Sequence, residues 1–316
     1  MCPVKVVAVT PVHNRRNETL RCLRSLFGSD LSDIAVHVIV VDDGSTDGSA
    51  EAIRQQFPNV EILTGNGNLW YTGGMNLGLA GALEHDPDYI LGFNNDSIFD
   101  GQCLRRLVEC GRENPRSVVG AILLDWETPH KLFQVSPRWE TWTGGFRHWR
   151  HQTIWTIPQK PWKVDLIVGN CVLFPAEAVK EVGLMNIKKF PQYGDAEYTP
   201  RMKRNGWRLL IEPKARIFCK PNDDVGGFRK LSAGAQFRAL FLDKTGPYSL
   251  KRRFNATLYG APTKIHGLIA FVLFFIRLAA GRNMEGSWGE QRDERPLAEM
   301  FSRSTVDHRN EVRPSS

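Results

Sequence analysis

Residues 35–49 read AVHVIVVDDGSTDGS, and the fold follows from how this stretch is parsed. Ala35 to Val41 is a mainly apolar, β-branched run that reads as a buried strand. Asp42-Asp43-Gly44-Ser45 supplies turn residues, and Asp47 stands where it would cap a helix beginning near Ser49. Strand, turn and helix thus succeed one another without a break.

The same unit recurs on either side. Val4 to Val9 is a second β-branched run that ends at Thr10-Pro11, and Leu20, Leu23 and Leu26 follow Asn17 at helical spacing. Val60 to Leu63 gives a third strand. A Gly-rich stretch from Gly65 to Gly78 leads into another helix, and Tyr89 to Phe93 forms a fourth strand closed by Asn94-Asn95-Asp96. Such alternation predicts a parallel sheet with helices on its faces. Ligands of these sheets bind at the carboxyl ends of strands, which is where the polar clusters fall.

Beyond Leu124 the rhythm changes. Six of the nine tryptophans lie between Trp126 and Trp162, among Gly144-Gly145, Arg147, His148, Arg150 and His151. Val164 to Phe174 reads as a strand, followed by a helix from Ala176 and the cluster Tyr193-Gly194-Asp195-Ala196-Glu197. Lys251, Arg252 and Arg253 precede an apolar run from Leu268 to Ile276, far shorter than the ~20 residues a bilayer span needs. From about Asn283 the chain is polar and aperiodic, the composition of a disordered tail. No internal repeat is visible. The expected division is 1–124, 125–245 and a C-terminal extension, 246–316.

The composition sets bounds. The 316 residues carry 41 Lys+Arg against 34 Asp+Glu, a net charge of +7 and a pI near 9.1, which favours anionic partners such as nucleotides, phospholipids or nucleic acid. The six cysteines have no C-x-x-C spacing, so reduced thiols are expected. Met1 runs straight into a strand-like stretch without the pattern of a signal peptide, which predicts a cytoplasmic protein. No recognised nucleic-acid module is present.

Each polar cluster admits two readings. Asp42-Asp43-Gly44-Ser45 offers carboxylates to a base N–H or a ribose hydroxyl, or is only a capped turn. Asn94-Asn95-Asp96 offers a carboxylate to magnesium or manganese, which take one or two carboxylates with phosphate and water, or is an Asx turn. Asp195 and Glu197 suit proton abstraction from an acceptor hydroxyl, or are acidic residues favoured at a helix start. In the Gly-rich stretch, small residues before a helix let backbone approach a phosphate. That stretch is neither a Walker loop nor a G-x-G-x-x-G fingerprint.

The order of these clusters discriminates between the readings. Val9-Thr10-Pro11-Val12-His13-Asn14-Arg15, Val40 to Ser45, Gly73-Gly74-Met75-Asn76-Leu77-Gly78, Asn94-Asn95-Asp96 and Gly194 to Glu197 are collinear over roughly residues 4–220. In sequence and spacing they resemble family 2 glycosyltransferases, and among those the rhamnosyltransferase-type enzymes of bacterial cell-surface polysaccharide assembly. The resemblance implies a GT-A fold: an α/β protein with a mostly parallel, Rossmann-like sheet flanked by helices, here with a C-terminal helical extension. It implies a divalent metal, Mn2+ or Mg2+, held by Asp96. Pro11, His13, Asn14, Asp43, Asn66, Gly73 and Asn95 would line the nucleotide-sugar site, and Asp195 would be the general base of an inverting displacement. Glu197 would orient the acceptor or the helix.

Two departures from that pattern stand out. Asn94 takes a place where many relatives carry a carboxylate, and Cys219 or Asn222 stands where many place a metal-binding histidine. The implied reaction moves a hexose or deoxyhexose from a UDP or dTDP donor to a glycan or lipid-linked acceptor. A sugar-phosphate nucleotidyltransferase and a non-catalytic membrane scaffold are the alternatives. The first lacks its Gly-rich loop with an adjacent Arg; the second has no need of Asp96 and Asp195. Trp139, Trp142, Trp149 and Trp155 suit sugar faces or ordinary packing. The basic and apolar segment from Lys251 to Arg282 suits the inner face of a membrane, or a buried helix with a solvated flank.

Overall fold

The computed structural model describes residues 3–134, 138–147, 152–220, 231–243, 246 and 248–279. The chain runs β1 (Val4–Val12), α1 (Arg16–Phe27), β2 (Ile34–Asp42), α2 (Ser49–Gln56), β3 (Glu61–Thr64), α3 (Trp70–Glu84) and β4 (Tyr89–Phe93). It continues through β5 (Ile98–Phe99), α4 (Cys103–Glu113), β6 (Ser117–Asp125), β7 (Leu132–Gln134), β8 (Arg138–Glu140) and β9 (Gly145–Arg147). Then come β10 (Trp162–Lys163), β11 (Cys171–Pro175), α5 (Ala176–Val182), α6 (Asp195–Arg204), β12 (Arg208–Cys219), α7 (Ala233–Phe237), α8 (Leu250–Gly260) and α9 (Lys264–Ala279).

One sheet, ordered β10-β12-β6-β11-β4-β1-β2-β3, passes through both halves of the chain. β3, β2, β1 and β4 are parallel, β12 is parallel to β6, and β11 runs antiparallel between β4 and β6. The mostly parallel α/β arrangement expected from the alternating pattern is therefore what forms. Val6 to Val9 of β1 form an apolar run because both faces of the strand are covered there. Val6 and Ala8 pack with Leu20, Leu23 and Leu26 of α1 and Leu104 and Leu107 of α4. Val7 and Val9 face Met75 and Leu79 of α3, with Val179 of α5 and Tyr198 of α6 farther along that face.

The glycines of the Gly-rich stretch serve this packing. Gly73, Gly74 and Gly78 lie inside α3 and not ahead of it. A Cβ on Gly74 would come within 2.7 Å of Pro11 Cβ, and one on Gly78 would run into Val9. The glycines let α3 sit close against β1.

Two local expectations change. Gly48, at φ +78°, takes the position before α2, so Asp47 stands one residue earlier. From there its carboxylate accepts from the Ser49 backbone and hydroxyl and from the Arg16 N–H, joining the starts of α1 and α2. The strand expected over Val164–Phe174 is confined to Cys171–Pro175. Upstream, the Ile167 N–H donates to Thr199 and the Gly169 N–H to Asp195, so side chains of α6 take backbone groups that a strand would need.

The C-terminal helices dock on the second half of the sheet. α8 lies against α6, and α9 against α8 and the turn at Thr141–Thr143. Arg204 Nη1 donates to Ala261 O and Asn255 Nδ2 to Lys189 O. Arg253 is turned inward over the Phe274 ring with Nη2 donating to Gly144 O, and burial pushes its guanidinium down to about 10. Arg252 and Arg253 are thus packed groups and not a basic flank offered to a surface, which corrects that part of the sequence reading. Lys251 and Lys264 stay exposed.

Candidate active site

The loops that follow β1, β2 and β4 and the start of α6 meet at the carboxyl edge of the sheet. The first turn of α3 is the hub that joins them.

Asp43 follows β2 and is 6% exposed. Its Oδ1 accepts from Gly67 N (2.7 Å), and its Oδ2 from Leu69 N (2.8 Å) and Trp70 N (3.3 Å). The carboxylate therefore holds the Gly-rich loop. Trp70 sits at φ +55°, a left-handed conformation costly for a bulky residue, and is 57% exposed. His13 Nδ1 lies 2.7 Å from Asp43 O, which makes it the protonated nitrogen, and Nε2 then accepts from Asn14 Nδ2 at 3.1 Å. Asn14, at φ +52°, accepts through Oδ1 from Thr46 N and donates its own N–H to Ser45 Oγ. Asp42 Oδ1 accepts from Ser45 N. Pro11 touches the start of α3, and Asn66 Oδ1 accepts from Asn68 N within the loop.

Two more residues expected to face the nucleotide lie on either side of this loop. Gly73 donates its N–H to Leu69 O and lies where a Cβ would meet Ile187 at 3.1 Å. Asn95 is buried and donates Nδ2 to Thr19 Oγ1 on α1. Both residues are buried, and each has a donor bonded within the protein.

Asp96 lies past the end of β4 with its side chain 33% exposed, and Arg15 Nη1 reaches its Oδ2 at 2.6 Å. Among the described residues no His, Cys, Asp or Glu joins Asp96 in a group of three close enough to share an ion. Cys219 is near, bonded to Ser97 and Asn170 through sulfur, and burial raises its thiol to about 12. A neutral, buried thiol is a poor ligand for a hard cation. Asn222 lies outside the described residues. The donor set therefore fits a magnesium- or manganese-like ion that gets one carboxylate from the protein and its other oxygens from phosphate and water.

Asp195 opens α6. Its Oδ2 accepts from Gly169 N at 3.0 Å, while the Tyr71 hydroxyl donates to Gly169 O at 3.2 Å. The next residue, Asn170, accepts through its carbonyl from Asn94 N, so a short chain of bonds links Asp195 to the loop bearing Asp96. Burial pushes the Asp195 carboxyl above the usual carboxylate range, opposed by the Gly169 N–H and the Arg252 charge. Burial likewise raises the Tyr71 hydroxyl, with the Asp195 charge adding to it. Thr72 fixes the approach: its Oγ1 donates to Phe190 O and accepts from Gly194 N, and its N–H donates to Pro191 O. Asn76 adds a reciprocal pair with the Met185 backbone.

Glu197 is placed differently from Asp195. It is 3% exposed, with Arg201 Nε at 3.0 Å and Arg204 Nη2 at 3.8 Å. Arg201 also donates to Val182 O and Leu184 O. Glu197 therefore orients the helix and the loop before it.

Among the tryptophans, Trp139 is packed edge-on to Phe146 with Nε1 donating to Thr141, whereas Trp142 is 76% exposed and Trp155 stacks on His130. Trp149 lies outside the described residues. Residues missed by the sequence reading are Arg15, Tyr71 and Thr72, which stood within quoted motifs, and Arg252, which reaches over the Tyr193 ring from α8.

A mostly parallel sheet with acidic loops converging at its carboxyl edge, and a second half continuing the same sheet, defines the GT-A class. The chain belongs to glycosyl transferase family 2, which it matches over residues 7–183. It is 24% identical over 205 residues to an N-acetylglucosaminyl-diphospho-decaprenol L-rhamnosyltransferase of Mycobacterium tuberculosis, covering 58% of this chain and 66% of that protein. It is 23% identical over 202 residues to the dTDP-rhamnosyl transferase RfbF of Shigella flexneri, covering 64% and 65%. The matches thus span about two thirds of the length of these two relatives. In fold it resembles the mannosyltransferase PcManGT of Pyrobaculum calidifontis, solved with GDP-Man and Mn2+, at TM-score 0.54 and 15% identity over 96% of this chain and 80% of that one.

Proposed function

We propose that this chain is an inverting glycosyltransferase that moves a hexose or deoxyhexose from a UDP or dTDP donor to a glycan or lipid-linked acceptor. The observation that carries the reading is the bond chain from Asp195 through Gly169 and Asn170 to Asn94, which brings a part-buried carboxylate of raised pKa to the edge that bears Asp96. A carboxyl held above its ordinary range is a stronger base for an acceptor hydroxyl. The rhamnosyl relatives support a deoxysugar donor.

On this reading Asp195 takes the hydroxyl proton as the acceptor oxygen attacks the anomeric carbon from the face opposite the nucleotide. Tyr71 holds Gly169, and Gly169 holds Asp195, so the base is aimed before substrate arrives. Pro11, His13, Asn14, Asp43 and Asn66 form the nucleoside wall, with Gly73 and Asn95 as its supports. Asp96 would hold Mn2+ or Mg2+, which when bound neutralises charge on the departing diphosphate. Arg15, already paired with Asp96, is a protein cation at that position.

The same proposal places the protein at a membrane surface. α9 is 16 residues long, about 24 Å at 1.5 Å per residue, and no described helix is long and apolar enough to cross a membrane. Its outer face nonetheless exposes Ile265, Leu268, Val272, Phe275 and Ile276, with Lys264 and Arg277 at the ends. An apolar face bounded by cations suits shallow insertion beside anionic lipid.

The test is nucleotide release by the purified protein across a panel of sugar nucleotides, with manganese, magnesium or chelator. Turnover of a UDP- or dTDP-sugar with an acceptor supports the proposal. Binding without turnover on any donor, with lipid-linked and free glycan acceptors both supplied, would favour the scaffold reading.

A further inference from the structure

At the amino end of the sheet, away from the candidate active site, three side chains from three elements converge. His37 comes from β2, Glu61 is the first residue of β3, and His85 follows the last residue of α3. His37 Nε2 lies 2.8 Å and His85 Nε2 2.9 Å from the same oxygen, Glu61 Oε2. The two rings are 4.2 Å apart at 34°. The three potential ligand atoms all lie within 4.8 Å of one another. Each side chain is about one third exposed, so the cluster faces water on one side.

We propose that His37, Glu61 and His85 form a zinc site, distinct from the magnesium- or manganese-type position at Asp96. Two imidazole nitrogens and one carboxylate oxygen are the ligands a borderline divalent ion takes, whereas Mg2+ and Mn2+ prefer oxygen sets. Tetrahedral zinc with bonds near 2.05 Å sets its ligand atoms about 3.3 Å apart. The nitrogen-to-oxygen separations would have to open by only about half an ångström, within the reach of side chains that face water on one side. Zinc would replace the protons now shared with Glu61, and water would take the open fourth position. His85 also stands at the carboxyl end of α3, where the helix carbonyls favour a cation.

The site would act as a clamp. His37 precedes Asp42 on β2 by five residues, roughly 16 Å at the strand's rise. Glu61 and His85 stand likewise at the far ends of β3 and α3, whose near ends carry the loop held by Asp43. A metal here ties together the three elements that position the nucleoside wall without touching it.

The experiment is a zinc titration of the full chain against a chromogenic chelator, carried out on an Asp96→Asn background so that the other metal position is silent. Thermal unfolding is followed in parallel, with and without zinc. One equivalent of zinc is expected, with the unfolding midpoint raised by about 5 °C when zinc is in hundredfold excess over its Kd. His37→Gln and His85→Gln should each weaken zinc binding at least tenfold and abolish the shift, and excess Mg2+ should not compete. His85 lies beyond the end of α3, so His85→Gln keeps the test sound if His37→Gln folds poorly. Zinc affinity and thermal shift unchanged in His85→Gln would overturn the proposal. So would a stability loss in His85→Gln with no zinc effect in the parent, which would make the cluster a hydrogen-bonded clasp only.

Discussion

Replacing Asp43 should unfasten the Gly-rich loop before it affects any ligand. Its carboxylate accepts two short backbone bonds, from Gly67 and Leu69, and a longer one from Trp70. Bonds to a charged acceptor contribute about 1.5–3 kcal/mol each, so the two short ones are worth about 4 kcal/mol. Release of Trp70 from its left-handed backbone returns about 1 kcal/mol. The expected net loss for Asp43→Ala is about 3 kcal/mol, a fall of about 6–12 °C in unfolding midpoint. Asp43→Asn should fare little better, because an amide that keeps one acceptor must point its NH2 at a backbone N–H. Urea unfolding gives the free energy, and hydrogen exchange at Gly67 and Leu69 shows whether the loop has opened. A loss below about 1 kcal/mol with Leu69 still protected would refute the idea that Asp43 holds the loop. Unchanged UDP and dTDP affinity in a folded Asp43→Asn would remove this residue from the nucleoside wall.

Asp195→Asn should lower turnover by roughly two to four orders of magnitude with donor affinity nearly unchanged. Glu197→Gln should instead show its main effect in thermal unfolding, and the reverse pattern would mean that the base is the other carboxylate. Because Arg252 lowers a carboxyl that burial has raised, Arg252→Gln should move the acid limb of the kcat/KM profile to higher pH. An unmoved limb would show that the limb does not report Asp195. The triple substitution Leu268→Ser, Val272→Ser, Phe275→Ser should release the protein from anionic vesicles without lowering its unfolding midpoint, since these side chains are exposed; equal sedimentation of both proteins would end the membrane proposal.

The sequence alone determined the strand-turn-helix alternation, the order of the polar clusters and the parallel first half of the sheet. These depend on local period, turn chemistry and collinear motifs, all of which are written along the chain. Tertiary structure alone decided what each polar group is free to do. Asp43 and Gly67 are 24 residues apart, Asn95 and Thr19 76, and no periodicity announces that either pair will meet. The same holds for Arg252, which reads as part of a basic flank until α8 packs on α6 and turns it over Tyr193 toward Asp195. The raised pKa of Asp195 is likewise a property of burial, which arises only when α3, the Gly169 segment and α8 close around it. His37, Glu61 and His85 gave no motif at all, since three elements must be brought into register before their ligand atoms converge.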